Sequence, residues 1–150
     1  MSHSRILVED LSMNFLEVFP GLSKQEAIEE ANRCLYCFDA PCIQACPTGI
    51  EIPTFIKKIA SGNLKGSAKT IMKANPIGAS CARVCPTEEL CEGACVLNHS
   101  TKPIMIGHLQ RYATDWAMKN EQSLFVPGSK NGKTVAIVGG GPAGLSAARE

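Results

Sequence analysis

The spacing of apolar residues predicts a chain that is helical over most of its length. Ser23 and Glu26 have the spacing of a capping box, and the apolar positions behind them predict a helix over 24–33. Apolar residues then recur at helical spacing over 52–62 and again over 64–74. The first part of the chain is therefore expected to be a mainly α-helical domain.

A change of pattern follows the longest predicted helix, which starts near Pro103 and has Gln110 beside its apolar face. The next stretch is polar and contains Pro-Gly and Asn-Gly turn signals. Four apolar, mostly β-branched residues at 135–138 then predict a buried strand that starts an α/β domain. The expected order is an N-terminal extension over 1–22, a helical domain over 23–120, a linker over 121–134 and the truncated start of a Rossmann-like domain over 135–150.

Composition limits the classes of function. The chain has 150 residues, and its 15 Lys and Arg against 14 Asp and Glu give a net charge of +1, so no overall charge favours nucleic acid or an anionic membrane as a partner. No apolar run approaches the ~20 residues of a membrane span, and the start lacks a signal-peptide pattern. We expect a cytoplasmic protein with no membrane and no nucleic-acid partner.

Eight cysteines are the strongest chemical signal. A reducing compartment keeps thiols free, so clustered cysteines there favour metal binding over disulfides. They form two groups: Cys34-x2-Cys37-x4-Cys42-x3-Cys46-Pro47, and Cys81-x3-Cys85-Pro86-x5-Cys91-x3-Cys95.

These groups predict two [4Fe-4S] clusters, because short loops with four soft sulfur ligands can wrap a compact cluster. The Cys46-Pro47 ending is typical of a cysteine that ligates the other cluster. We therefore expect crossed ligation: Cys34, Cys37 and Cys42 with the distant Cys95 at one cluster, and Cys46 with the second group at the other. On the residues alone, Cys81 is favoured as the last ligand because thiolate binds iron better than an amide. Structural zinc is the alternative, although only Cys34 and Cys37 have the pair spacing that zinc prefers.

The glycines Gly139, Gly141 and Gly144 follow the predicted strand with the spacing of a dinucleotide-binding turn. In such a turn the backbone approaches a pyrophosphate at a helix N-terminus. The acidic ribose ligand and the second parallel strand would lie beyond Glu150, so this site is expected to be incomplete.

Four stretches together resemble a known family: R-C-L-Y-C-F-D-A-P-C-I-Q-A-C-P-T, C-A-R-V-C-P-T-E-E-L-C-E-G-A-C, I-G-H-L-Q-R-Y and V-A-I-V-G-G-G-P-A-G-L. They are similar to the N-terminal region shared by dihydropyrimidine dehydrogenases and the glutamate synthase small subunit. The resemblance implies two [4Fe-4S] clusters in the helical domain, followed by a domain that binds FAD and takes a hydride from NAD(P)H. Glutamine at position 110, where the glutamate synthase pattern usually has glutamate, favours the bacterial two-subunit dihydropyrimidine dehydrogenase.

The same resemblance implies the ligands. Those of the first cluster would be Cys34, Cys37, Cys42 and Cys95. Those of the second would be Cys46, Cys85, Cys91 and Gln110, with Cys81 as the alternative to Gln110. Gly139, Gly141 and Gly144 would contact the FAD pyrophosphate.

The expected function is therefore that of an electron-transfer module, with no catalytic residue of its own. It would relay electrons between FAD and a partner subunit of an NAD(P)H-dependent oxidoreductase that reduces a pyrimidine such as uracil or thymine. Its expected contacts are the flavin domain or the partner catalytic subunit of that oxidoreductase. This segment alone is expected not to be catalytic. Two alternatives are electron transfer of the glutamate synthase type and a zinc-stabilised helical interaction module without redox activity.

Overall fold

The computed structural model describes residues 13–150, and their regular structure is helical. The elements are α1 (Lys24–Asn32), α2 (Pro41–Gln44), α3 (Ile52–Ala60), α4 (Leu64–Ala74), α5 (Gly78–Val84), a 3-10 helix (Val96–His99), α6 (Ile106–Lys119) and α7 (Pro142–Arg149). Within this part of the chain, no helix has the length and apolar character needed to cross a membrane. Residues 1–12 of the predicted N-terminal extension lie outside the described residues.

The helices predicted from apolar spacing are confirmed. The capping box at the start of α1 is formed: the Glu26 backbone N–H donates to Ser23 Oγ at 3.3 Å, and the Ser23 N–H donates to the Glu26 carboxylate at 2.7 Å. Helix α6 is the longest of the described helices, as expected. The fold class is therefore mainly α.

Three elements within the cysteine groups were not predicted: α2, α5 and the 3-10 helix. Each has seven residues or fewer, which is too short for a helical period to be visible in the sequence. Pro41 begins α2, where its fixed φ angle and missing N–H are tolerated. These short helices are the elements that carry or flank candidate ligands.

The strand predicted at 135–138 is not seen, and residues 13–150 contain no strand. Val135 is 79% exposed and Val138 is fully exposed. A strand needs a neighbour for its backbone hydrogen bonds, and no second extended segment lies alongside in the described chain. The helix expected after the glycines does form, as α7.

Helices α1, α3, α4 and α6 pack around one apolar core, with α5 against α6. The core is built from isoleucines and alanines with a few larger side chains, among them Ile50, Ile52, Phe55, Ile56, Ile59, Ile71, Ile106 and Leu109. A smaller cluster joins Ala68 and Ala117 to Leu124, with Trp116 and Phe125 alongside. The start of the predicted linker therefore packs on the helical domain.

A buried carboxylate joins α1 to the segment that leads into α6. Glu30 accepts hydrogen bonds from Arg33 Nη1 at 2.8 and 2.9 Å and from the Met105 backbone N–H at 2.8 Å. Arg33 also donates to the Lys102 carbonyl at 2.6 Å. Because Cys34 directly follows Arg33, this network fixes where the first cysteine group begins.

We expect Glu30→Ala to lower the free energy of unfolding by about 1–3 kcal/mol, because it leaves the Met105 N–H without its acceptor and Arg33 without its carboxylate. Glu29→Ala is the matched control on the same helix, since Glu29 is exposed and, within residues 13–150, its carboxylate accepts a hydrogen bond only from Gln25. Its effect should stay within about 0.5 kcal/mol. Urea unfolding of both variants measures the difference, and equal losses would contradict this role for Glu30.

Close packing at the start of α5 requires a glycine. A Cβ at Gly78 would lie 2.6 Å from Ile71 Cγ2 and 3.7 Å from Gln110 Nε2. Ile71 is fully buried, so it cannot move aside without disturbing the core.

Gly78→Ala should therefore destabilise the protein by about 1–3 kcal/mol, because overpacking outweighs any gain in helix propensity. Gly128→Ala is the control, since nothing lies within 4 Å of a Cβ at that position. A thermal or urea unfolding series compares the two. A Gly78→Ala variant as stable as the unsubstituted protein would show that the contact is loose.

Candidate metal centres

The first cavity is lined by four cysteines, and the fourth comes from the distant group. Cys34 follows α1, Cys37 lies in the next loop, Cys42 lies in α2 and Cys95 precedes the 3-10 helix. The cavity has about 370 Å³ of empty space, part of it open to solvent. The structure thus brings together the four cysteines predicted for one cluster, and their role as ligands stays a prediction.

Tyr36 shapes the loop between the first two cysteines. Its backbone has a φ of 54°, in the left-handed region that residues other than glycine rarely adopt. Its hydroxyl donates to the Ala31 carbonyl at 3.0 Å, and Lys57 Nζ lies 4.6 Å from its ring centroid. These contacts hold the strained turn that directs Cys34 and Cys37 toward the same cavity.

Burial, with a smaller contribution from neighbouring thiolates, raises the pKa values of two of these thiols, Cys34 and Cys42. Burial raises the pKa of Cys34. Burial, together with the nearby charges of Cys34 and Cys95, raises the pKa of Cys42 to about 11. A cation that binds the sulfurs must therefore displace protons, and its binding energy must exceed that cost.

The second cavity is lined by five candidate donors and has about 560 Å³ of empty space, part of it open to solvent. Cys46 comes from the first group, Cys81 and Cys85 from α5 and its C-cap, Cys91 from the loop that follows, and Gln110 from α6. The predicted set and its alternative, Cys81, therefore lie around the same space.

Gln110 is held in one orientation. The side chain is buried, and its Nε2 donates to the Gly78 carbonyl at 2.7 Å. Because the nitrogen is used in this bond, the amide oxygen is the atom left to act as a donor to a metal. The Gly107 backbone N–H, one turn earlier in α6, donates to Glu92 Oε1 at 2.9 Å and so links α6 to the Cys91 loop.

Two thiols of the second cavity have raised pKa values. Burial, followed by the charges of Glu92 and Cys46, raises the pKa of Cys91 to about 12. Burial, followed by Cys81 and then Cys46, raises the pKa of Cys85.

Cys46 behaves differently. Burial alone would raise its pKa, but hydrogen bonds from the Thr48 hydroxyl and from the backbone N–H groups of Ile50, Thr48 and Gly49 together outweigh burial and lower it. The turn after Cys46 therefore favours an anionic sulfur at this position.

The donor chemistry fits an iron–sulfur cluster. Thiolates are the usual ligands of such clusters, and each set surrounds a space rather than meeting at a point. Across residues 13–150, no three His, Cys, Asp or Glu side chains are placed to share a single metal ion. The arrangement suits a polynuclear group held at its corners.

Of the three glycines near the C-terminus, Gly139 and Gly141 lie in the turn before α7, and Gly144 lies in the first turn of that helix. Gly139 has a φ of 109°, and a Cβ at Gly144 would lie 2.0 Å from the Gly139 carbonyl oxygen. Gly141 is the N-cap of α7. Both the positive φ and the close approach require glycine, as a pyrophosphate-binding turn does. Binding of FAD by these residues stays a prediction.

Sequence reasoning missed three residues that shape the second cavity: Gly78, Glu92 and Thr48. The first two act through long-range contacts that leave no local pattern. Thr48 could have been found, because the triplet Cys-Pro-Thr occurs in both cysteine groups.

Comparison with known proteins agrees with the resemblance. Residues 11–122 match the family model "Dihydropyrimidine dehydrogenase domain II, 4Fe-4S cluster". The chain is 50% identical over 135 residues to the NAD-dependent dihydropyrimidine dehydrogenase subunit PreT of Salmonella typhimurium. The match covers 89% of this chain and 33% of the relative. The PreT subunit of Escherichia coli strain K12 is 48% identical with the same coverage.

The chain therefore spans about a third of the length of the curated relatives it matches. The family model covers most of the chain and includes all eight cysteines. The resemblance inferred from the cysteine motifs is confirmed, and the chain belongs to the family of dihydropyrimidine dehydrogenase domain II with its 4Fe-4S cluster.

Proposed function

We propose that this chain is the electron-transfer region of an NAD(P)H-dependent flavin oxidoreductase and holds two [4Fe-4S] clusters. The observation that carries the proposal is the pair of separate cavities, each lined by at least four suitable donors. Each cavity takes residues from both cysteine groups, so neither group alone completes a site. Membership of a 4Fe-4S family supports the same conclusion.

In this proposal the first cavity uses the four cysteines Cys34, Cys37, Cys42 and Cys95. The second uses Cys46, Cys85, Cys91 and Gln110. The bond from the Gln110 amide to the Gly78 carbonyl supports Gln110 over Cys81, because it presents the amide oxygen in a fixed place at no further cost in side-chain entropy.

A bound [4Fe-4S] cluster supplies one-electron redox chemistry. It would therefore accept, one at a time, the two electrons that a flavin receives together. The protein's own residues set its surroundings. Isoleucines from α3 and the start of α6 wall the first cavity and limit the access of water. In the second, a neutral amide in place of a thiolate makes the site less negative, which favours the reduced state.

The partner is expected to approach near the first cavity. Phe38, next to Cys37, is 98% exposed, and Leu35, next to Cys34, is 61% exposed. Large apolar side chains at such exposure on a ligand loop support a contact with another domain or subunit. A short distance between this surface and the cavity would suit electron exchange.

The remaining assignments follow the relatives. The PreT proteins are named as NAD-dependent dihydropyrimidine dehydrogenase subunits. For the whole protein to which this chain belongs we propose the same class of activity: hydride from NADH or NADPH, FAD held in part by Gly139, Gly141 and Gly144, and reduction of uracil or thymine at a partner subunit. Residues 23–120 would form the iron–sulfur domain, with 121–134 as the linker to the nucleotide-binding domain. A cytoplasmic location accords with this chemistry.

Anaerobically purified protein should contain about eight iron and eight acid-labile sulfide per chain and be brown, as two [4Fe-4S] clusters require. Metal and sulfide analysis with a visible spectrum measures this. A colourless protein with bound zinc and no sulfide would overturn the proposal in favour of a zinc-stabilised interaction module.

Three variants test which residue is the last ligand. Gln110→Ala should lose or alter the second cluster and lower iron by up to about four per chain, whereas Cys81→Ala should keep both clusters. Gln110→Glu should keep the cluster at a lower reduction potential, because a charged ligand replaces a neutral one. Iron content and EPR of the reduced proteins measure these effects, with circular dichroism to verify folding. Loss of a cluster in Cys81→Ala but not in Gln110→Ala would assign the ligand to Cys81.

A further inference from the structure

The triplet Cys-Pro-Thr occurs at Cys46–Thr48 and again at Cys85–Thr87, and the cysteine and threonine of both copies line the second cavity. The copies differ in one contact. Cys46 Sγ lies 3.5 Å from Thr48 Oγ1, within hydrogen-bond distance for sulfur. In the second copy, within residues 13–150, no hydrogen bond joins the Thr87 hydroxyl to the Cys85 sulfur.

The backbone after Cys46 holds Thr48 in this position. The Gly49 N–H donates to the Cys46 carbonyl at 2.9 Å and closes a turn, and Gly49 has a φ of 60°, which favours glycine. The backbone N–H groups of Thr48, Gly49 and Ile50 also contribute to lowering the pKa of Cys46, as the Thr48 hydroxyl does. The hydroxyl is therefore one of several donors arranged around a single sulfur atom.

The direction of the bond follows from the chemistry of the site. A cysteine that ligates iron is a thiolate and carries no proton, so Thr48 must donate and the sulfur must accept. Reduction of a cluster adds negative charge that its sulfurs share. A donor at one sulfur stabilises the reduced state more than the oxidised state and so raises the reduction potential.

We propose that Thr48 is a positioning residue that raises the reduction potential of the group in the second cavity through its hydrogen bond to the Cys46 sulfur. The inference rests on the proposed function, since it requires a [4Fe-4S] cluster at that place. Thr48 contributes to the difference in potential between the two centres, in addition to the neutral ligand Gln110.

The test is a redox titration monitored by EPR on the whole protein with both clusters loaded. Thr48→Val keeps the side-chain shape and removes the hydroxyl. At a fixed applied potential, this variant should lower the ratio of reduced to oxidised second cluster about threefold. That change corresponds to a reduction potential lower by about 28 mV, at 59 mV per tenfold change for a one-electron couple. The first cluster should not shift, and Thr48→Ser should restore the original value.

Thr87→Val is the matched control, because Thr87 has the same place in the other triplet and lines the same cavity without a bond to sulfur. It should leave both potentials unchanged. An unchanged potential in Thr48→Val with full iron and sulfide content would overturn the inference and leave the proposed function intact. An equal shift in Thr87→Val, or no restoration by Thr48→Ser, would also overturn it. An unsubstituted protein without sulfide would overturn the proposed function itself.

Discussion

Burial, and to a lesser extent repulsion between neighbouring thiolates, opposes the ionisation of four thiols that line the two cavities, and this cost constrains the whole domain. Burial and neighbouring thiols raise the pKa values of Cys34, Cys42 and Cys85, and burial with Glu92 raises that of Cys91. The helices must therefore hold these groups together without help from the sulfurs. The apolar core between α1, α3, α4 and α6 holds them in place, because the free energy of burying its apolar side chains does not depend on whether the cavity thiols are protonated.

The two cavities give different environments to similar donors. The first has four thiols, and isoleucines form much of its wall. The second has four thiols and, as a fifth candidate donor, the fixed amide of Gln110. It also has a turn whose N–H groups and hydroxyl lower the pKa of one cysteine, Cys46. Differences of this kind change the energy of added charge, so one fold can offer two steps of unequal potential with the same type of cofactor.

The longer elements of the fold were predictable from the sequence, because α1, α3, α4 and α6 each carry a helical period over at least nine residues. Helices α2 and α5 are too short to carry that signal. The prediction of a strand at 135–138 was wrong, because a strand forms only where a neighbouring strand accepts and donates its backbone hydrogen bonds. At the candidate site, cysteine spacing predicted which thiols share a cavity. The proposed role of Gln110 as a ligand follows only from family resemblance. The close approach at Gly78 depends on Ile71, and no local pattern predicts which residue another helix will place there.

The crossing of the cysteine groups also bears on how the protein is made. The first cavity includes residues from Cys34 to Cys95, and the second includes residues from Cys46 to Gln110. Chains emerge from the ribosome N-terminus first at about 5–20 residues per second, so neither set of candidate donors is complete while the first cysteine group is leaving the ribosome. All the candidate donors of either cavity are therefore present together only after this segment has been synthesised and its two cysteine groups have come together. A fault far from any cysteine, such as one in the core, would then be observed in the cell as a deficit of iron.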